Sequence, residues 1–299
     1  MYDLIILGTG PAGLSAAVYA ARYKMNFLVI GAISGGTITQ AHQVENYPGI
    51  EGVTGIELGK RMEDHAKKLG SEIVADSIKK IEKKDGLFIL HGRKEYEAKR
   101  ILLAMGADRT KLNIKGEDEF LGKGVSYCAT CDGPFFKDKT LCVVGGGNAA
   151  VTSALYMAEL CKKVYLIYRG EELKAEPAWV EKLKAQKNIE SVYSANITEI
   201  QGENRVEKVV LDTGRIIGLD GVFIEIGSTP NKALIADLNL HTDNRGYVTV
   251  DSELKTGSKG IWAAGDITQN GFKLRQVITA AAEGAIAIYS IYLDTKKQN

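Results

Sequence analysis

Short apolar runs at the start of the chain flank a stretch with helical spacing. Residues 2–7 and 27–30 are apolar runs of the length expected for buried parallel strands. The residues between them, 13–24, place apolar side chains every three or four positions and predict a helix. The helical positions are Leu14, Ala17, Val18 and Ala21. Because the turn after the first strand reads Gly8-Thr9-Gly10-Pro11-Ala12-Gly13, this order predicts a dinucleotide-binding unit.

A second copy of the same pattern begins near residue 140. Residues 140–144 and 164–167 are strand-like, and residues 148–160 have helical spacing. The turn carries Gly145, Gly147 and Ala150, so alanine is the third small residue, an accepted form of the fingerprint. In both copies the glycines let a pyrophosphate approach the backbone, and the helix N-terminus presents free amides to it. The sequence therefore predicts two dinucleotide sites.

Three further apolar runs end in a glycine turn and are predicted to complete the parallel sheets. They are residues 101–106, 221–227 and 260–266. The last ends in Gly265-Asp266, which places a carboxylate just past a buried strand. We expect Asp266 to bind ligand hydroxyls, with a helix cap as the alternative. An alanine-rich helix is predicted from about residue 276 to residue 292.

Length and charge narrow the class of protein. The 299 residues suffice for about two domains, each with its own core. The 38 basic residues nearly balance the 37 acidic ones, so no overall field indicates nucleic acid or an anionic membrane as a partner. No unbroken apolar run reaches the roughly 18 residues that span a bilayer. We therefore predict a cytoplasmic globular protein with no nucleic-acid or membrane partner.

The four cysteines divide into one closely spaced pair and two isolated residues. Cys128 and Cys131 are separated by two residues, a spacing that in a cytosolic chain indicates catalysis or metal binding. Structural zinc needs four ligands and the sequence has no second pair, while its histidines are scattered, so no metal site is predicted. Cys142 and Cys161 fall in apolar patterns and are predicted core residues. A redox-active dithiol between two dinucleotide sites indicates a flavin enzyme that delivers electrons to a disulfide.

These motifs resemble those of the low-molecular-weight thioredoxin reductases over nearly the whole chain. The matching stretches are Gly8 to Gly13, Val44-Glu45-Asn46-Tyr47-Pro48-Gly49, Cys128-Ala129-Thr130-Cys131-Asp132-Gly133, Gly145 to Ala150, Ala263-Ala264-Gly265-Asp266 and Arg275-Gln276-Val277-Ile278-Thr279-Ala280. Their order, their spacing and the place of the dithiol all agree with that family.

The resemblance implies an α/β fold of two Rossmann-like dinucleotide-binding domains, the second inserted into the first. Residues 1–113 and 244–299 would form the FAD domain, and residues 114–243 the pyridine-nucleotide and dithiol domain. The implied FAD contacts are Gly8, Gly10, Pro11, Ala12, Gly13, Gly36, Thr37, Asn46, Gly106, Gly265, Asp266, Arg275, Gln276 and Val277. The implied NADP contacts are Gly145, Gly147, Asn148, Ala149, Arg169 and Lys174. Family members are homodimers whose nucleotide domain rotates.

The implied activity is electron transfer from NAD(P)H through FAD to the Cys128–Cys131 disulfide, and from the dithiol to thioredoxin or a thioredoxin-like protein. Attack on a protein disulfide requires a thiolate, and this cysteine spacing can lower one pKa from about 8.5 toward neutrality. Asp132 adjoins the pair and is predicted to carry the proton to the departing thiolate. The resemblance places Cys131 toward the flavin and leaves open which sulfur attacks the protein substrate.

The electron-entry side departs from the family pattern. The family carries His-Arg-Arg after the second strand, where this chain has Tyr168-Arg169-Gly170, so one phosphate-binding cation is missing. Thr152-Ser153 replaces an acidic pair that the family commonly has in the following helix. In the FAD half, Thr37 stands where glutamine is common, and Gly31 replaces a strand-end acid. NADPH remains the favoured donor, with NADH as the alternative.

Three other functions fit parts of the pattern. A disulfide reductase fed by ferredoxin or another low-potential carrier would explain Gly170 and Thr152-Ser153. The flavoprotein of a peroxide-reducing system is disfavoured because its relatives carry an extra N-terminal dithiol module. A non-catalytic nucleotide-binding redox sensor is disfavoured by the intact Cys128 and Cys131 pair.

Overall fold

The computed structural model describes residues 1–41, 44–230, 232–270 and 274–297. The chain forms two compact units. One comprises Met1–Thr39, Val44–Asp108 and Thr229–Asn299, and the other comprises Gln40–Gln43 and Arg109–Ser228.

Strands and helices alternate in residues 4–75 and 140–192, the pattern of an α/β protein. The strands are β1 (Leu4–Leu7), β2 (Phe27–Gly31), β3 (Ile73–Ala75), β4 (Lys80–Lys84), β5 (Leu87–His91), β6 (Glu95–Ala98), β7 (Ile101–Leu103), β8 (Asp108–Arg109), β9 (Val125–Ser126), β10 (Thr140–Val144), β11 (Lys163–Ile167), β12 (Ile189–Val192), β13 (Ile197–Gln201), β14 (Lys208–Leu211), β15 (Ile216–Gly218), β16 (Gly221–Ile224), β17 (Ser228–Thr229) and β18 (Ile261–Ala263). The α-helices are α1 (Pro11–Arg22), α2 (Gly55–Lys68), α3 (Ala129–Asp132), α4 (Asn148–Leu160), α5 (Pro177–Lys184), α6 (Lys232–Asp237) and α7 (Val277–Lys297). Short 3-10 helices span Gly36–Gln40 and Gly133–Phe136.

The first unit is built on a parallel sheet in the order β18-β7-β1-β2-β3. All four residues of β1 are buried, as expected for the central strand of a sheet covered on both faces. An antiparallel sheet in the order β4-β5-β6 completes this unit, and α1 packs along α7. The chain extends from β1 to β2 and β3 on one side, while β7 and β18 lie on the other. A crevice for a ligand is therefore expected at the carboxyl ends of β1 and β7.

The second unit repeats this design with a parallel sheet in the order β12-β11-β10-β16-β9. Alternate residues of β10 enter two different cores. Leu141 and Val143 pack with α4, and Cys142 and Val144 pack with the antiparallel sheet β13-β14-β15. This alternation follows from the two-residue period of a strand. The predicted α/β architecture with an inserted Rossmann-like unit is confirmed.

The division of the chain differs from the predicted domain boundaries near residues 113 and 244. It falls after Asp108 and after Ser228. Residues 229–243 belong to the first unit because Leu234, Ile235 and Leu240 are buried in its core. The sequence offered no composition change there, since the apolar pattern continues through α6. The assignment of FAD to the first unit and of the pyridine nucleotide to the second stays a prediction.

Helix α7 is long and largely apolar. Residues 277–296 are long and apolar enough to cross a membrane by length and composition, although no unbroken apolar run is present. Ala287, Ile288 and Ile291 are fully buried in the core of the first unit. A core helix of a soluble fold passes the same test, so this helix is weak evidence for a membrane span. The predicted cytoplasmic location stays a prediction.

Candidate functional site

The first glycine turn brings three backbone segments into close contact. A Cβ on Gly8 would lie 2.1 Å from the carbonyl oxygen of Ala104, and one on Gly13 would lie 1.9 Å from the carbonyl oxygen of Gly8. Both positions therefore require glycine. Helix α1 begins at Pro11, and its N-cap residue Gly10 makes no side-chain cap, so the first amides of the helix face the turn. This arrangement is the one that receives a pyrophosphate.

The other predicted FAD residues surround this turn. Gly36 lies against the backbone of Gly10, followed by exposed Thr37, and Gly265 packs on the buried methyl group of Ala12. Gly106 follows β7, and Val277 is buried at the start of α7. Because β1, β7 and β18 are parallel neighbours, the residues after them meet at one edge of the sheet.

The polar part of this edge consists of Asp266, Arg275, Gln276 and Asn46. The side-chain amide of Asn46 donates to Oε1 of Gln276 at 2.9 Å. Burial raises the pKa of Asp266, and the charge of Arg275 partly opposes that shift. Arg275 lies 4.0 Å from the ring centroid of Tyr247. Among the described residues its buried Nε and Nη2 have no hydrogen-bond partner, so two donors await an acceptor.

These observations fit FAD. A phosphate would satisfy the buried guanidinium donors of Arg275, which otherwise carry the cost of unpaired buried polar atoms. Asp266 follows β18, as the sequence indicated, and its role as an acceptor for ribityl or ribose hydroxyls stays a prediction. The predicted FAD residues that we can place thus meet at one sheet edge, and their individual roles stay predictions.

Asp76 is a buried acid that the sequence did not single out. It borders a cavity at the carboxyl ends of β2 and β3, which Ala32 and Ala75 also line. Burial favours the neutral form of Asp76, but hydrogen bonds from Tyr96 and from the amides of Ser77 and Arg93 outweigh it and lower the pKa. Since a side chain at Gly31 would collide with Thr9, the acid missing from the end of β2 has a steric explanation. Adenosine contacts at this edge are expected from the cavity instead.

Glu283 is a half-buried acid that the sequence did not single out. It accepts from the amide of Gly265 at 2.6 Å and from the hydroxyl of Thr268 at 3.3 Å. Burial raises its pKa, and these hydrogen bonds partly oppose the shift. Glu283 thereby fixes the turn that carries Asp266. No spacing signal could have revealed it, because it lies inside the alanine-rich stretch of α7.

The cysteine pair forms a disulfide in the second unit. Cys128 and Cys131 are joined by a bond of 2.06 Å, with Cys128 at the N-cap of α3 and Cys131 the more exposed of the two. Asp132 accepts a hydrogen bond from the hydroxyl of Ser126 at 2.6 Å. The same hydroxyl accepts from the amide of Cys128 at 3.0 Å. Ser126 therefore links the acid to the cysteine backbone, a contact that the sequence did not predict.

The isolated cysteines are confirmed as core residues. Cys142 is fully buried and Cys161 is nearly so. Burial raises the pKa of both thiols, to about 11 for Cys161. Among the described residues, which exclude His42, no group of three His, Cys, Asp or Glu side chains could hold a metal ion.

The second glycine turn is open where a pyrophosphate would lie. Helix α4 begins at Asn148 after its N-cap Gly147, and no side chain caps it or adds negative charge to its first turn. A Cβ on Gly147 would meet nothing within 4 Å. Ala149 is exposed beside it. The helix N-terminus is thus accessible to an anion.

Asn148 has a structural role that its predicted contact with NADP did not anticipate. Its side-chain amide donates to Oε1 of Glu176 at 2.9 Å, and its Oδ1 accepts from the amide of Glu176 at 2.7 Å. Asn148 therefore ties the start of α4 to the residue before α5. Because both polar atoms of its side chain are engaged, we expect its backbone amide to be the group available to a nucleotide.

The ring of Tyr168 lies between two glycines at this turn. A Cβ on Gly146 or on Gly170 would lie 2.6 Å from the ring of Tyr168, so the ring lies between the two glycines. Gly170 therefore makes room for the ring, whereas the sequence indicated only a lost cation. Arg169 and Lys174 are exposed, and no ion pair is found for either in the described part of the chain. Both cations are free to meet a phosphate.

Comparison with known proteins identifies the family. The pyridine nucleotide-disulphide oxidoreductase pattern matches residues 2–284. A thioredoxin reductase of Peptoclostridium litorale is 40% identical, covering 96% of this chain and 95% of the relative. The crystal structure of Lactococcus lactis thioredoxin reductase superposes with a TM-score of 0.94 at 33% identity, covering 99% of this chain and 100% of that one. A ferredoxin-flavin thioredoxin reductase of Clostridium acetobutylicum has a TM-score of 0.55 at 34% identity, covering 99% and 98%.

The chain belongs to the pyridine nucleotide-disulphide oxidoreductases, and within them to the thioredoxin reductase family. Membership agrees with the two glycine turns and with the disulfide between Cys128 and Cys131. It makes the protein a flavoprotein disulfide oxidoreductase that uses a flavin and a pyridine nucleotide. The family expected from the motifs is confirmed.

Proposed function

We propose that this protein is a thioredoxin-disulfide reductase, which passes electrons from NADPH through FAD to the Cys128–Cys131 disulfide and on to thioredoxin. The main support is the disulfide beside Asp132, in a chain with two glycine turns that each lead into a helix N-terminus. When bound, FAD would supply two-electron transfer between a pyridine nucleotide and this disulfide.

Cys128, Cys131 and Asp132 account for the exit of electrons. In the reduced pair, one thiolate attacks the protein disulfide, forming a mixed disulfide and releasing one substrate thiolate. The second cysteine then attacks the first, which releases the substrate dithiol and restores the Cys128–Cys131 bond. Asp132, hydrogen-bonded to Ser126, is placed within this turn to give a proton to a departing thiolate. The cysteine pair gives up two electrons, the thiol of the second cysteine supplies one proton by way of Asp132, and solvent, which took the proton of the attacking thiol, supplies the other.

A protein substrate is supported by the surface next to the disulfide. Phe135 follows the pair by four residues, and its side chain is 82% exposed. Exposed aromatic residues are unfavourable in water and are enriched at the centres of protein interfaces. The expected partner is therefore a folded disulfide protein of the thioredoxin type, which can cover this ring.

NADPH as the donor is supported by Arg169 and Lys174, two exposed cations on the adenosine side of the second turn. The same segment carries Glu171 and Glu172, whose negative charges would repel the 2′-phosphate of NADPH. We therefore expect the preference for NADPH over NADH to be modest. Anaerobic stopped-flow mixing with each nucleotide measures this directly through bleaching of the flavin. Bleaching by neither nucleotide would contradict the donor and would favour ferredoxin.

A homodimer is also proposed. One face of α7 carries an apolar stripe whose residues are 39% exposed or more: Ile278, Ile286, Tyr289 and Leu293. A second copy of the chain is the expected occupant, because a stripe along one helix can pair with itself about a twofold axis. Light scattering should give the mass of two chains, and Tyr289→Glu should give monomers. A wild-type monomer at micromolar concentration would refute the proposal.

A further inference from the structure

Glu225 interrupts the apolar pattern of the second unit at the point where its sheet changes direction. Chain order runs from β10 to β11 and β12 on one side, while β16 and β9 lie on the other. Gly145 follows β10, and Glu225 follows the neighbouring β16. A Cβ on Gly145 would lie 2.3 Å from the carbonyl oxygen of Glu225, so the two turns touch. Such a switch point is where open α/β sheets bind nucleotides.

The Glu225 side chain is buried and held by two partners. It is only 4% exposed, and Nη1 of Arg109 donates to its Oε2 at 2.8 Å. The hydroxyl of Ser153, on α4, donates to its Oε1 at 3.3 Å. Burial raises the pKa of Glu225, whereas Arg109 and Ser153 oppose that shift. Burying a charged pair is costly, and a hydrophobic pair of the same volume would serve packing at least as well.

The pair lies on the side of the turn opposite to Tyr168 and Arg169. Those two residues follow β11, where an adenosine ribose is expected, and the open start of α4 takes the pyrophosphate between them. A dinucleotide laid across this edge therefore has its nicotinamide on the β16 side. Ser153 lies on α4, so the hydroxyl that holds this carboxylate comes from α4 and the carboxylate itself from the residue after β16.

We propose that Arg109 and Glu225 receive the carboxamide of the nicotinamide, with Ser153 as a positioning residue that holds the Glu225 carboxylate. A carboxamide needs both a donor and an acceptor, and a guanidinium next to a carboxylate offers both. Arg109 is 25% exposed, so this cation reaches the surface while its partner is 4% exposed. The inference rests on the proposed use of a pyridine nucleotide and specifies the residues that recognise its reactive end.

Binding of oxidised nucleotides to the intact FAD-containing enzyme tests the proposal without electron transfer. NADP⁺ and NAD⁺ are titrated beside 2′-phospho-ADP-ribose and ADP-ribose, which lack the nicotinamide. Glu225→Gln should weaken binding of both dinucleotides by about ten- to a hundred-fold, the loss expected for a charged hydrogen bond. Binding of the two truncated nucleotides should not change. Equal losses for all four ligands, or none, would overturn the proposal.

A second variant protects the test against a folding defect. Ser153→Glu combined with Glu225→Ala moves the carboxylate from the turn after β16 to α4, beside the position that Glu225 occupies. This double variant should bind NADP⁺ at least several-fold better than Glu225→Ala alone, with thermal midpoints recorded for each. No recovery in a folded double variant would also count against the proposal. If wild-type enzyme binds NADP⁺ and NAD⁺ no better than their truncated forms, the proposed donor fails rather than the assignment of these residues alone.

Discussion

Replacing Arg275 by methionine should change FAD affinity and apoprotein stability in opposite directions. Nε and Nη2 of Arg275 are buried and have no hydrogen-bond partner within the described ranges. A buried donor without a partner costs about 1–3 kcal/mol, whereas a hydrogen bond to a charged acceptor contributes about 1.5–3 kcal/mol. Methionine keeps the apolar stem and removes the donors.

The expected loss of FAD affinity is about ten- to a hundred-fold for one charged hydrogen bond. The free energy of unfolding of the FAD-free protein should equal or exceed that of the wild type, because the unpaired donors are gone. The loss of the contact with Tyr247 offsets about 0.5–1 kcal/mol of this gain. FAD binding is measured by quenching of flavin fluorescence on apoprotein, and unfolding by urea titration.

Arg245 provides the matched control. It also lies over the ring of Tyr247, at 5.8 Å, but its side chain is 41% exposed and pairs with Asp243. Arg245→Met should therefore leave FAD affinity unchanged. A contribution of Arg275 to FAD binding is refuted if Arg275→Met binds FAD as tightly as wild type, or if Arg275→Met and Arg245→Met weaken FAD binding equally.

Three further predictions concern other residues. Iodoacetamide at about pH 8 should modify no cysteine of the oxidised native protein and only Cys128 and Cys131 after reduction. Cys142 and Cys161 should stay unmodified because burial raises the pKa of both thiols. Labelling of Cys142 or Cys161, measured by mass spectrometry, would contradict this prediction. Burial and the hydrogen bond to Asp76 raise the pKa of Tyr96 to about 12. The stabilisation from Tyr96 should therefore be complete below about pH 10 and should be lost toward pH 12. The free energies of unfolding of Tyr96→Phe and wild type, measured by urea titration, should converge over that range. Phe135→Ala should lower kcat/KM for thioredoxin by about five- to thirty-fold and leave turnover of a small aromatic disulfide unchanged; equal losses would contradict a docking role.

The sequence predicted the parts of the fold that depend on local pattern. The strands and helix predicted for residues 2–7, 13–24 and 140–144 form at Leu4–Leu7, Pro11–Arg22 and Thr140–Val144, because apolar periodicity there coincides with burial. The boundary near residue 244 differed from the observed division because α6 contributes Leu234 and Ile235 to a core whose strands lie far away in sequence. Such tertiary contacts leave no local signal.

The site was predictable where backbone geometry demands a residue type, as at Gly8 and Gly13. Partner choice was not predictable from spacing. Glu225 meets Arg109 across more than a hundred residues of chain, and the only sign in the sequence was a charged residue within the apolar run of residues 221–227. Gly170 illustrates the converse case, since its effect is steric and acts through the ring of Tyr168.

Counting the electrons that the enzyme accepts shows whether they leave through the Cys128–Cys131 disulfide. Anaerobic titration of the FAD-containing enzyme with dithionite should consume two electrons for the flavin and two for the Cys128–Cys131 disulfide in each chain. Cys131→Ser should take up only the two flavin electrons and should lose thioredoxin reduction while its flavin is still bleached by NADPH. If wild type and Cys131→Ser accept the same number of electrons, or the variant still reduces thioredoxin, electrons do not leave through this disulfide.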